Sequence, residues 1–242
     1  MSKRILLVLI TVFLLAACSA LPKSNGSETN SPASSSQSQS NQIQPTTPVN
    51  TQAAPSLTPD EVYLAVKAAW AKSDTAGARH ISQNSSEGGA VVSNIEADVV
   101  PPDFHQVVSA MGNVVAEQYI VGGTIYNKVD GAWSQYAGGS AALSMVGSFT
   151  QSFSDSLVYS DGAVTGIEEI NGSPAIVYRY NTTLKGLDAS AQYKLWVDQV
   201  SGLPVRSVNI TPDGMTIDQT ITYDNSLTIT LIDEAKNAPP AQ

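Results

Sequence analysis

Met215-Thr216-Ile217-Asp218-Gln219-Thr220-Ile221-Thr222-Tyr223-Asp224 is the stretch that decides the fold. Met215, Ile217, Gln219, Ile221 and Tyr223 alternate with Thr216, Asp218, Thr220, Thr222 and Asp224, so a pleated strand would carry one oily face and one wet one. The alternation is expected to continue through Leu227, Ile229 and Leu231. A strand of this kind belongs to an antiparallel sheet with one face packed and one solvated.

Upstream, Gly122-Gly123, Asp130-Gly131, Asn171-Gly172, Ser201-Gly202 and Asp213-Gly214 each separate runs rich in β-branched and aromatic residues. These dipeptides supply the positive φ angles that tight hairpins demand, and a series of them predicts a meander. Two helical segments interrupt it. Thr58-Pro59-Asp60-Glu61 reads as an N-cap, a first-turn proline and the glutamate of a capping box, opening a helix expected to run to about Ser73. Its apolar residues Val62, Tyr63, Ala65, Val66, Ala69 and Trp70 form one broad face. The second segment follows Gly138-Gly139-Ser140, with Ala142, Met145, Val146, Phe149 and Phe153 at three- and four-residue steps. Neither has the spacing of a βαβ crossover, so both are expected to cover one face of a curved sheet. The fold class expected is α+β: a curved antiparallel sheet, a half-barrel, covered on its concave face by a few helices.

Lys194-Leu195-Trp196-Val197-Asp198 followed by Ser201-Gly202-Leu203-Pro204-Val205-Arg206 resembles the tryptophan–aspartate, glycine–leucine–proline, basic hairpin of the LolA/LppX-like lipoproteins and carriers. Val129-Asp130-Gly131-Ala132-Trp133, a short hairpin ending in tryptophan ahead of the second helix, is similar to the same family, and the order of elements agrees over residues 58–232. The resemblance implies a half-barrel enclosing an apolar cavity for the acyl chains of a lipid or lipoprotein. Within it, Val66 and Trp70 of the first helix and Met145, Val146, Phe149 and Phe153 of the second would line or lid the cavity. An apolar stripe at helical spacing also reads as ordinary core. Trp133 and Trp196 read as fold markers rather than ligand contacts.

The N-terminus speaks to location. Lys3 and Arg4, an apolar run over residues 5–15 and then Leu15-Ala16-Ala17-Cys18 describe a secretory signal peptide ending in a bacterial lipobox-like motif, with no other cysteine in 242 residues. Residues 1–17 are expected to be removed and Cys18 acylated, placing the mature chain outside the cytoplasm and tethered to a bacterial membrane. Residues 19–57 hold ten Ser, five Gln, four Thr, four Asn and five Pro without an aromatic, a composition that cannot offset its ordering entropy. Residues 18–57 are therefore read as a lipidated disordered linker, roughly 30–35 Å end to end. Residues 58–235 follow as one domain, and 236–242 as a flexible tail.

The mature chain carries ten Lys and Arg against twenty-one Asp and Glu, a net charge of −11, which argues against nucleic acid and against electrostatic docking on anionic lipid. Membrane contact is expected through Cys18 or an apolar mouth, and the chain is expected to be a monomer. His80 and His105 stand without a nucleophile motif or HExxH, the pairs Glu168-Glu169 and Asp233-Glu234 read as solvated surface, and the Asp-Gly turns lack EF-hand spacing. No catalytic residue, metal site or cofactor is expected. Two functions remain open: a carrier or receiver of lipid with an apolar cavity, or a sensory or protein-binding module on the same scaffold with a filled interior.

Overall fold

The computed structural model describes residues 53–138, 157–184 and 190–241. Cys18 and most of the linker, and the second helical segment with Met145, Val146, Phe149 and Phe153, lie outside the described residues.

The chain begins with α1 (Pro59–Thr75) and continues into β1 (Arg79–Glu87), β2 (Ala90–Val100), β3 (Asp103–Ala110), β4 (Asn113–Val121), β5 (Thr124–Val129) and β6 (Ala132–Ala137). β7 (Leu157–Ile170), β8 (Ser173–Leu184), β9 (Ser190–Asp198), β10 (Pro204–Ile210) and β11 (Thr216–Tyr223) complete the sheet, and α2 (Asp233–Lys236) follows. All eleven strands form one open antiparallel sheet in the order β6-β5-β4-β3-β2-β1-β11-β10-β9-β8-β7. Every neighbour is a hairpin partner except β1 and β11, which pair from Arg79↔Tyr223 to Ser86↔Thr216 and join two meanders into one surface. The five glycine-bearing dipeptides all fall between consecutive strands. Asp130 and Gly131 (φ 51° and 80°) and Asn171 and Gly172 (φ 52° and 80°) adopt the paired positive angles of a type I′ hairpin.

Helix α1 starts as its sequence predicts. The Thr58 amide donates to the Glu61 carboxylate at 2.8 Å while the Glu61 amide donates to Thr58 Oγ1, closing the capping box. Val62, Val66, Ala69 and Trp70 then pack against Ile81, Val99, Phe104, Ile120, Leu195 and Ile221, the inward residues of six strands. Burying each such side chain contributes about 1.5–3 kcal/mol. The far end of the helix is tied down by polar contacts: Ser73 Oγ lies 2.8 Å from Tyr223 Oη, and buried Arg79 donates to the Ser73 carbonyl.

Two expectations need revision. β11 ends at Tyr223 and does not continue through Leu227, Ile229 and Leu231. Its partners run out there, β1 beginning opposite Tyr223 and β10 pairing no further than Thr220, and Asp224 closes a turn by accepting from the Ser226 amide and hydroxyl. Of the two helices expected to cover the sheet, the first, α1, packs on the apolar face and the second lies outside the described residues; α2 sits against β5 and β6 at the sheet's edge. Asp233-Glu234 opens that helix and is exposed to solvent. The backbone of the expected tail is hydrogen-bonded to β6: the Gln135 amide donates to the Pro239 carbonyl and the Ala241 amide to the Gln135 carbonyl, with Ala238 buried.

The outer face carries a second, smaller cluster of Ala175, Val177 and Trp196. Lys194 Nζ and the Arg206 guanidinium lie 4.5 and 4.8 Å from the Trp196 ring and cover it. Glu168, exposed as expected, also accepts from Trp196 Nε1 at 2.7 Å and from Lys194 at 2.9 Å, which ties it into the face.

Candidate functional site

The first two turns of α1 do not close fully on the sheet. A recess of about 260 Å³ remains between the helix and β7–β8, lined by Pro59, Asp60, Tyr63, Val66, Tyr159, Ser160, Gly162 and Tyr180. Local sequence explains its shape. β7 is bulged between Ser160 and Ala163, with Asp161 at φ 55°, which breaks the regular ladder beside the start of α1. Gly162, within the bulge, lets the two elements touch, since a Cβ at that position would lie 2.8 Å from the Pro59 carbonyl oxygen and 3.2 Å from Val62 Cβ.

Three phenol rings stand in its walls. Tyr63 and Tyr159 have centroids 4.5 Å apart at 40°, Tyr159 and Tyr180 5.9 Å apart at 36°, and Tyr180 stacks on Tyr193 at 5.2 Å and 6°. Burial holds the Tyr159, Tyr180 and Tyr193 hydroxyls above the ordinary phenol value, and neighbouring tyrosines add to the rise at Tyr159 and Tyr180. All three therefore stay neutral across physiological pH. The buried Trp70 side chain lies beneath the recess and offsets part of the rise at Tyr180. Such a site offers aromatic faces and neutral hydroxyls, with Asp60 as the one carboxylate at its mouth.

Of the residues the sequence singles out, Val66 lines the recess while Trp70 is buried in the core below it. Met145, Val146, Phe149 and Phe153 lie outside the described residues. Tyr159 and Tyr180 went unmarked because only the sheet order brings β7 and β8 under α1; the alternation of Tyr178 and Tyr180 along β8 was the available signal.

The two histidines lie on the opposite, outer face. His80 Nδ1 is 2.7 Å from Asp98 and its Nε2 3.0 Å from Glu96, while His105 Nε2 is 3.1 Å from Glu117 and its ring stacks on Tyr119 at 4.1 Å. Both His80 nitrogens are thus occupied by carboxylates, and among the described residues no group of His, Cys, Asp and Glu is arranged to hold a metal ion. Burial pulls the His80 pKa down, but the hydrogen bonds and charges of Asp98 and Glu96 outweigh it and leave the pKa raised. Burial next to Glu117 pushes Tyr119 up to about 12.

No family model matches the chain, and no curated protein matches it. Solved structures do. The lipoprotein LppX of Mycobacterium tuberculosis shares 15% identity over 71% of this chain and 99% of its own, with a TM-score of 0.53. A hypothetical lipoprotein YmcC from Escherichia coli shares 11% identity over 60% of this chain and 86% of its own, at a TM-score of 0.31. A LolA superfamily protein from Nitrosomonas europaea shares 8% over 65% and 91%, at 0.29. The LppX match, at a TM-score above 0.5, spans nearly all of that lipoprotein: the open antiparallel sheet with its helix is an LppX-like fold.

Proposed function

We propose that this chain is a lipid-anchored protein of the bacterial envelope, facing away from the cytoplasm, that holds an acyl chain of a lipid or lipoprotein against the inner face of its half-barrel. The observation that carries this reading is the recess between α1 and β7–β8, walled in part by three tyrosines with one carboxylate, Asp60, at its mouth. Apolar ligands are held by buried area at about 25 cal/mol per Å², without directional groups, and phenol rings supply such area at little conformational cost. The volume lies below the roughly 300–1,000 Å³ typical of small-molecule pockets, which suits one chain end and not a whole diacyl lipid. The stripe Met145, Val146, Phe149 and Phe153 is proposed, from its sequence pattern alone, to extend the apolar wall. Carriage or reception of a ligand needs no chemistry, and this reading assigns none. No helix among the described residues is long and apolar enough to cross a membrane, so attachment is assigned to Cys18.

A second reading has its own support. Beneath α1 the inner face is filled by Trp70, Phe104, Ile120 and Leu195, each at most 2% exposed, as in a protein-binding module with a solid interior. Native mass spectrometry with lipid extraction on the purified chain separates the two. Co-purifying lipid that is lost in Tyr159→Asp, with the circular dichroism spectrum unchanged, is the result expected of a carrier. A clean apo mass from the folded wild type would instead establish the filled module.

A further inference from the structure

Of the ten large apolar side chains most exposed among the described residues, seven lie at one end of the sheet. Val91, Met111, Val114, Val115 and Val129 sit on the tips of three adjacent hairpins, β1–β2, β3–β4 and β5–β6, and Met111 at the apex of the middle one is 84% exposed. Singly exposed apolar residues are ordinary, but a contiguous set on neighbouring tips marks an interaction surface. No Lys or Arg occurs within residues 87–91, 110–115 or 129–132, where the only charges are Glu87 and Asp130. Such a surface has no attraction for anionic lipid and suits a neutral one.

The point where the linker enters the fold lies at this same end. Strand register carries one row across the sheet from Ser160 on β7 through Asn181, Ile210 and Ser86 to Val91 on β2. Ser160 lines the recess beside Pro59, the first residue of α1, so residues 53–58 arrive on the side of the tips. A chain leashed to a bilayer by a linker of roughly 30–35 Å keeps its domain at high local concentration over that bilayer. Even a weakly inserting rim is then occupied. We propose that the three tips form a docking rim that dips into the interfacial layer of a zwitterionic bilayer. The assignment rests on the anchored reading above.

The test uses the full, lipidated chain in phosphatidylcholine vesicles. Acylation blocks Cys18, so Met111→Cys introduces a unique thiol for a polarity-sensitive fluorophore, and Val200→Cys, an equally exposed apolar position in the β9–β10 turn at the opposite end, is the control. The Met111 label is expected to shift to the blue and lose most of its emission to lipids brominated near the glycerol end, while the Val200 label stays water-like. Adding Val114→Asp should abolish the difference. Protein that floats with the vesicles but carries a water-like Met111 label overturns the rim while leaving the anchor standing. Protein that does not float overturns the anchor and the rim with it. A label that turns apolar without vesicles, as protein concentration rises, overturns the bilayer assignment in favour of contact between copies of the chain.

Discussion

His80 shows what a single side chain contributes in this fold. Its ring lies between Asp98 and Glu96 on β2, with Ser82 and Asn94 also donating to Glu96 and His105 4.0 Å from the far oxygen of Asp98. A ring that meets a carboxylate at each nitrogen is best satisfied when both nitrogens donate, which is the protonated form. The folded pKa is accordingly raised above the unfolded value of 6.5. Stability from this group is complete below 6.5 and is lost as pH climbs through the raised folded value. Urea denaturation of the wild type and His80→Gln should show the largest gap near pH 5.5 to 6, narrowing toward pH 9. A gap that stayed constant over that range would mean that His80 acts by packing alone. None of this was legible in the sequence, where His80 and His105 stood out only for lacking a catalytic motif. Eighteen residues separate His80 from Asp98, and their meeting depends on β1–β2 register, which a bulge between Ser85 and Ser86 adjusts.

At the scale of elements, the local signals read true, while features set by partners distant in sequence did not all follow from the pattern. Thr58 through Glu61 encode the start of α1 within one turn of chain, and each turn dipeptide encodes its hairpin, because the physics of caps and turns is settled by neighbours in sequence. The end of β11 is settled by where β1 and β10 stop, so the alternation through Leu231 had nothing left to pair with. The contact between α1 and β7 is equally non-local, and it turns on Gly162. Gly162→Val would thrust a branched side chain into the Pro59 carbonyl and Val62, 2.8 to 3.2 Å from where its Cβ must sit. Neither side can yield cheaply, one being helix backbone and the other a fully buried valine. Overpacking of this kind costs about 1–3 kcal/mol. The expected outcome is a lowered thermal midpoint together with faster hydrogen exchange in the amides of the first turns of α1 relative to β1–β4. Uniform exchange across the domain at an unchanged midpoint would show that helix and strand are not in the contact described.

The folded unit over residues 52–242 is built, among the described residues, on an unclosed sheet whose two edges are protected by different means. β7 is irregular, with register shifts between Ser160 and Ala163 and between Val164 and Gly166, so it offers an incoming strand no long flat ladder. β6 has no bulge of its own and pairs evenly with β5 from Ala132 to Ala137. Its protection comes from elsewhere in the chain: Ala235 and Ala238 are buried, the Gln135 side chain donates to the Ala238 carbonyl at 2.7 Å, and Gln135 bridges to Pro240. A segment whose composition reads as a loose tail therefore covers the edge of the sheet, which its sequence could not reveal because the partner, Gln135, lies about a hundred residues away. Removing residues 233–242 should leave β6 with free backbone donors and acceptors along a regular strand. The shortened chain is expected to associate through that edge, visible as concentration-dependent dimers in light scattering coupled to gel filtration, while the full chain under the same conditions does not change mass. Replacing Gln135 with Pro in the shortened chain removes a donor from the exposed ladder and should reverse the association. A shortened chain with the same mass as the full chain at every concentration would show that the C-terminal segment is dispensable for sheet integrity and that β6 is shielded by something other than residues 233–242.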